Sequence, residues 1–469
     1  MIFDFLKYCL DRKDNMSNVV ANIVWQQMYY FASKQAILGL CFEGVERLGK
    51  EYPEELKQNP IGRELLMTWM GKAQQIRRQN VKVNEVAAKL YSKFKKDGLR
   101  CCILKGQGNA LMYPNPYSRT PGDIDVWVNA SREEITEYAK RHLNLEDDIR
   151  FHHLETTMDG VPVELHFFPC SMNNPFYHAR LQKWFKRNAD LQCSNVVSLP
   201  DGIGEIAIPT TAFNVIYQLT HLYHHFFDEG IGMRQIIDYF LVVNDFSKNV
   251  FLDTDLSNHP VNFSNHPVPL SKEGSTFSPS PSSSGSGDVT APSRCSEPLR
   301  SKDGGPSKVS PDCAGWDRLD AIGDMTSAST DTSATVARSS FAAGSSSAFT
   351  SSASTALDVV QKDLKHLGLW KFAGAVMYVL HEVLGLSEEK MIAPVDEKRG
   401  KLLLAEILDG GNFGRHFSKY GGFTHQSMGK KYFLKIWRNM HFVRYYPAEA
   451  LCEPLFRTWH FFWRLKYKK

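Results

Sequence analysis

The sequence contains no run of about eighteen apolar residues, so no membrane span is expected. Its opening residues, MIFDFLKYCLDRKD, interrupt the apolar positions with acids and bases, which is not the pattern of a signal peptide. None of its nine cysteines forms a CxxC pair. Neither a zinc ribbon nor a disulfide framework is therefore expected. Several of the cysteines lie in apolar runs and read as buried thiols of a reducing, cytoplasmic compartment. Neither sign of charge dominates. Lys and Arg number 55 against 51 Asp and Glu, a formal net charge of +4, so composition alone does not demand a nucleic-acid partner. No GxxxxGKS or GxxxxGKT segment occurs, and Gly106-Gln107-Gly108 lacks the third glycine of a dinucleotide fingerprint. P-loop and dinucleotide chemistry are excluded on that ground.

What is present concentrates in one stretch, CCILKGQGNALMYPNPYSRTPGDIDVWV, residues 101–128. Its apolar start is long enough for a buried strand. Lys105-Gly106 breaks that strand, Gln107 to Tyr113 can form a helical turn, and Pro114 and Pro116 end it. Asp123 to Val128 reads as a second strand, and alternation places Asp123, Asp125 and Trp127 on one face. Two carboxylates this close repel each other. A divalent cation with hard oxygen ligands, Mg²⁺ above all, removes the conflict and shares itself with substrate phosphates. Ser131 and Glu134 form a capping box for a helix reaching about Leu143. Asp159-Gly160 between two alternating runs predicts a hairpin, whose second strand carries Glu164, His166 and Phe168 on one face.

The order strand, Gly turn, short helix, DxD resembles the nucleotidyltransferase superfamily of DNA polymerase β and the aminoglycoside adenylyltransferases. The fuller pattern is LKG, then YP, then RTPGDIDVWV, with VELHFF, GIGMRQIIDY, GGNFG and YPAEAL further on. It resembles an uncharacterised bacterial branch that carries LKG where the superfamily usually has Gly-Ser. The resemblance implies an α+β fold. A small polymerase-β-like mixed sheet would form the core, with mainly helical regions on its N- and C-terminal sides. It implies Asp123, Asp125 and Glu164 as catalytic, metal-holding acids, Glu standing where the third acid is more often Asp. It further implies Mg²⁺, two ions with Mn²⁺ as a substitute, and a nucleoside triphosphate. Lys105, Gly106 and Arg119 would meet its phosphates.

The remainder divides by composition. Residues 1–98 read as a helical region with stripes over Asn18–Leu48 and Arg63–Lys96, and 99–170 as the catalytic core. Residues 171–250 read as helices packed on that core. His221, His224 and His225 share one side of the first, a spacing that can grip a transition metal. With no HExxH glutamate or cysteine pair beside them, no zinc site is assigned. His152, His153 and His166 read as satisfied structural groups, except that His166 could hold a nucleophile or phosphate, or simply orient Glu164. Arg234 and Asp238, four apart, are expected to pair along their helix, with Arg234 facing phosphate as the alternative. Residues 251–356 are rich in Ser and Pro and read as a disordered insert. Residues 357–469 are helical again, with a tail that mixes aromatics and bases. That composition suits nucleic acid, but packing on the core with bases snorkelling outward is the favoured reading.

These readings combine into a Mg²⁺-dependent nucleotidyltransferase moving an NMP from an NTP to a hydroxyl-bearing acceptor: sugar, antibiotic, RNA or protein. The alternative is a catalytically inactive nucleotide-binding, RNA-binding or surface-binding module of the same fold.

Overall fold

The apolar runs of the central stretch become strands β1 (Cys101–Leu104) and β2 (Ile124–Val128) in a computed structural model of the chain. The structure describes residues 1–11, 14–252, 351–417 and 427–467. Strands β3 (Asn144–Ile149), β4 (His153–Met158) and β5 (Val161–His166) complete a five-stranded sheet in the order β1-β2-β5-β4-β3. The sheet is mixed: β2 runs parallel to β5 and antiparallel to β1, and β4 runs antiparallel to β5 and β3. Every side chain of β1 and β2 is buried, as expected where helices cover both faces. Asp159 and Gly160 turn β4 into β5 with φ of +52° and +73°, the left-handed pair of a tight hairpin. Strand β3 has no apolar alternation in Asn144–Ile149 and was not expected. It exists because β4 offers it an edge, pairing Asn144 with Thr157 and Ile149 with Leu154. A small ribbon of β6 (Val196–Ser198) and β7 (Glu205–Ala207) was likewise not visible in the pattern.

Helices surround this sheet, giving a mixed α+β fold in which 67% of the described residues are helical. Helix Arg63–Lys96 has the bounds its apolar stripe predicts, and its 34 residues span about 50 Å. Gly98 follows it at φ +80°, the left-handed position that ends helices. The stripe over Asn18–Leu48 instead forms three helices, Ser17–Asn22, Trp25–Lys34 and Leu38–Glu51. Ile23 is extended and Ala36 is left-handed, and each breaks the turn-to-turn hydrogen bonding. Asn80 on Arg63–Lys96 donates its amide to the carbonyls of Tyr117 (3.0 Å) and Arg119 (2.7 Å). That bond fixes the loop leading into β2.

Helices Thr211–Asp228 and Met233–Leu252 pack against each other, and helix Ser351–His366 packs on both. The chain on either side of the Ser/Pro-rich segment therefore meets in one unit, 1–265 with 347–469. Apart from its ends, which are helical to Leu252 and from Ser351, the insert expected at 251–356 lies outside the described residues. No helix among the described residues is long and apolar enough to cross a membrane.

The tail forms helices Met428–Met440, Pro447–Ala450 and Glu453–Tyr467. Its bases do not simply snorkel outward. Arg438 meets buried Glu406 (3.1 Å), while Lys435 (3.0 Å) and Arg457 (2.9 Å) both meet Asp228. Phe433, Trp437, Phe461 and Phe462 are exposed alongside Lys430, Arg444 and Lys466. Acids on the core helices need countercharges once removed from water, and this turns Lys435, Arg438 and Arg457 inward.

The YPAEAL motif joins this tail to the sheet. Buried Glu449 accepts the backbone N–H groups of Asn173 (2.5 Å) and Asn174 (3.2 Å), just beyond β5. Burial outweighs those bonds, and with Glu453 nearby it pushes the Glu449 carboxyl up to about 7 from 4.5. The folded state therefore holds a proton the unfolded chain releases between those values. The stability linked to it is full below about pH 4.5 and is lost as pH rises through about 7. In thermal melts, the advantage of wild type over Glu449→Gln should narrow from pH 5.5 to 8; a constant gap would contradict this. Glu449→Ala, leaving two N–H groups unpaired, should cost about 1–3 kcal/mol.

Candidate functional site

Strand β1 leaves the sheet through a strained turn. Lys105 has φ +53° and ψ −124°, and Gly106 has φ +34°. Lys at positive φ costs about 1–3 kcal/mol and persists only where surroundings over-determine it. The five-residue helix Gly106–Ala110 follows. Asn109 anchors it through a reciprocal amide pair with Gln218 of helix Thr211–Asp228 (2.9 and 2.7 Å). The turn opens into a cleft of about 60 Å³, lined among others by Lys105, Gly106, Asp123, Asp125, Arg234 and Phe413.

The parallel pairing of β2 with β5 sets Asp125 directly beside Glu164. Buried Asp125 is engaged on both oxygens. Oδ1 lies 2.9 Å from His166 Nε2, and Oδ2 lies 3.1 Å from Lys105 Nζ. His166 Nε2 also lies 3.3 Å from Glu164 Oε2. Lys105 Nζ is 2.7 Å from His221 Nε2, which must accept there. Burial alone would raise the Asp125 carboxyl, but Lys105 and then His166 hold it well below the usual range. The same bonds act on His166: burial opposes its charge, yet Asp125 and Glu164 push it up to about 9. Glu164 is held low mainly by its bond to His166, against burial and the charge of Asp125.

Asp123 differs. It stands one residue before β2, on the outer rim, and is exposed at the surface of the cleft. The protein wall behind it, and the charges of Asp125 and Glu164, push its carboxyl up to about 7. A third carboxylate here thus adds negative charge that Lys105 and His166 do not fully offset. Asp125, Glu164 and His166 offer donor atoms all within 4.8 Å of one another. Asp123 belongs to no such tight group among the described residues. The carboxylate oxygens of Asp123, Asp125 and Glu164 are the hard donors that suit Mg²⁺, so the donor set fits the ion.

Two arginines that both line the cleft have partners the sequence did not suggest. Arg119, expected at phosphate, is buried in a bidentate pair with Asp238 (2.9 and 2.7 Å), to which Tyr113 also donates (2.7 Å). Arg234, expected to pair with Asp238, is displaced from it. Its Nη1 donates to the Thr120 carbonyl (3.1 Å), and its Nε has no hydrogen-bond partner although buried. Burial and the charge of Arg119 lower its hold on its proton. The guanidinium lies over the Phe413 ring at 5.4 Å. Phe413 has φ +53° within the GGNFG loop. That loop sits against the GIG turn so closely that a Cβ on Gly232 would come 2.7 Å from Asn412. His221 and His225 face each other at 3.1 Å, Nε2 to Nε2, while His224 turns toward His152. Sequence reasoning gave Phe413 and His221 no role in the cleft. Their only signals were the glycines around Phe413 and the histidine spacing.

A family model described as an uncharacterised nucleotidyltransferase matches residues 21–257. No curated protein and no solved structure matches the chain. The match contains the whole sheet, the Lys105-Gly106 turn and Arg234; the GGNFG and YPAEAL motifs lie beyond it.

The two arginines should separate in experiment. Arg119→Met leaves Asp238 buried without its partner and should cost about 3–5 kcal/mol, seen as a large fall in melting temperature. Arg234→Met removes a cation with no carboxylate partner and should hold stability within about 1 kcal/mol while weakening triphosphate binding. Equal stability losses would refute the distinction.

Proposed function

The chain belongs to this family of uncharacterised nucleotidyltransferases, and we propose that it transfers an NMP from an NTP to a hydroxyl-bearing acceptor, dependent on Mg²⁺. One observation supports the reading above the rest: Asp125 and Glu164 stand side by side on parallel strands, with Asp123 two residues away at the cleft mouth.

Asp123, Asp125 and Glu164 would hold the Mg²⁺, which supplies positive charge to the phosphate oxygens and orients attacking and leaving oxygens. The protein's own residues do the rest. Gly106 has open space where a side chain would project, its nearest neighbour being the Asp123 carbonyl at 4.0 Å. Phosphate can therefore approach the N–H groups of the turn. Lys105 and Arg234 bring two cations to the same cleft to offset the phosphate charge. Arg119 contributes indirectly by holding Asp238, which leaves Arg234 free of it. His166 keeps Asp125 and Glu164 ionised and oriented. Glu164 would alternatively take the proton of the acceptor hydroxyl. Ligand sites usually enclose about 300–1,000 Å³, far above the 60 Å³ of this cleft. Triphosphate entry therefore requires Lys105 and Phe413 to give way.

One observation favours the alternative of a nucleotide-binding module without transfer: Asp125 already has two cationic partners. The deciding experiment incubates the full chain with each labelled NTP, Mg²⁺ and sugar, antibiotic, RNA and protein acceptors, read by intact mass. Gain of one NMP on any acceptor, or on the chain itself, is the expected result. Asp123→Asn, Asp125→Asn and Glu164→Gln should each lower turnover roughly 10²- to 10⁴-fold. Melting temperature should hold or rise in Asp123→Asn, which relieves like-charge repulsion, and fall in Asp125→Asn and Glu164→Gln, which give up their charge pairing with Lys105 and His166. Wild-type turnover in both Asp variants, or unfolding of Asp123→Asn, would sink the assignment.

A further inference from the structure

Beside the carboxylates, and sharing His166 with them, is a cluster of imidazoles. His153 of β4 lies directly opposite His166 of β5, with ring centroids 5.1 Å apart. His152 precedes β4 and is pinned by its carbonyl, which accepts the Phe167 N–H at 2.9 Å. Its ring lies 4.3 Å from that of His153 and 5.6 Å from that of His166. One ring nitrogen from each of the three lies within 4.8 Å of the other two. His224 approaches from helix Thr211–Asp228, its ring 6.2 Å from His152.

The hydrogen-bond inventory of these rings is incomplete. His153 and His166 are each only 3% exposed. With Nε2 of His166 committed to Asp125 and Glu164, its Nδ1 has no protein partner. Glu164 and Glu155 come within 3.2 and 3.6 Å of the His153 nitrogens, but neither contact has hydrogen-bond geometry. Nδ1 of His224 is also without a partner. Buried polar atoms left this way are costly, and stacking of rings does not satisfy a nitrogen lone pair.

We propose that His152, His153 and His166 form a second metal site, taking one first-row transition ion of the zinc type beside the Mg²⁺ carboxylates. Imidazole nitrogen suits Zn²⁺, Co²⁺ and Ni²⁺, whereas Mg²⁺ prefers oxygen. His166 presents the arrangement metal-binding histidines show: one nitrogen donates to carboxylate, which fixes the ring, and the other is left for the ion. The ion displaces any proton on that second nitrogen. His224 and Glu164 are the neighbours able to complete its coordination. His166 would then tie two chemically different sites together, hard oxygen on one side and imidazole on the other.

The test uses the full chain, stripped by chelator, with Co²⁺ or Zn²⁺ alone. Wild type should retain about one equivalent of Co²⁺, with the strong visible bands of a low-coordinate nitrogen site. Zn²⁺ should displace it and excess Mg²⁺ should not. His152→Ala and His153→Ala should each weaken Zn²⁺ binding roughly 10²-fold or more, while Asp123→Asn leaves it unchanged. Failure of wild type to hold an equivalent overturns the proposal. So does Co²⁺ binding that survives His152→Ala but is lost in Asp123→Asn, which would put the ion on the carboxylates. If His153→Ala does not fold, X-ray absorption of the wild-type Zn²⁺ form decides, because fewer than two imidazoles at about 2.0–2.1 Å is incompatible with the site. The outcome is independent of NMP transfer, so loss of one reading does not carry the other with it.

Discussion

Three carboxylates drawn together on and beside two inner strands of a small sheet repel one another, and much of the surrounding structure answers that repulsion. Two are in register on parallel neighbours, where no side-chain rotation moves them far apart. His166 bridges them, and Lys105 takes the free oxygen of Asp125. Lys105 reaches that oxygen from a left-handed backbone position that L-residues rarely adopt. The strain is intelligible as the cost of aiming an ammonium at a buried acid from the end of the neighbouring strand. Asp123, at the rim, is left with the uncompensated share.

A second buried centre holds the frame in which this happens. Asp238 gathers Tyr113 and two nitrogens of Arg119, both from the middle of the segment that joins β1 to β2. Bidentate Arg–carboxylate pairs fix orientation as well as distance. The loop is thus clamped to helix Met233–Leu252, and Asp123 is delivered to the cleft as its last residue before the strand. The clamp has a further consequence. Because Asp238 is saturated by Arg119, Arg234 one turn earlier faces Phe413 and the cleft. One pairing choice gives Arg119 a carboxylate partner and leaves Arg234 with the Thr120 carbonyl and the Phe413 ring.

The proposed imidazole site extends the same logic across the sheet. Strands β4 and β5 carry carboxylates and histidines at neighbouring positions, so hard and borderline donors lie side by side. His166 belongs to both sets through its two nitrogens.

Local sequence determined the elements whose cause is local. The apolar runs of β1 and β2, the Asp-Gly hairpin, the Ser131 capping box and the Arg63–Lys96 helix follow from periodicity and from turn and cap chemistry acting over a few residues. Asp123, Asp125 and Glu164 were legible as candidates for the same reason: charge on an otherwise buried strand needs an explanation within its own segment. Partner choice was not legible. Whether Asp238 takes Arg234 four residues away or Arg119 more than a hundred residues away depends on which guanidinium the packing brings into reach. Likewise β3 has no pattern of its own and forms because β4 presents an edge. Lys435, Arg438 and Arg457 of the tail turn inward because Asp228 and Glu406 lie on helices the tail covers. Sequence sets which groups must be satisfied; only the tertiary structure decides by which partner, because Coulomb and hydrogen-bond energies are set by distance in space, not separation along the chain.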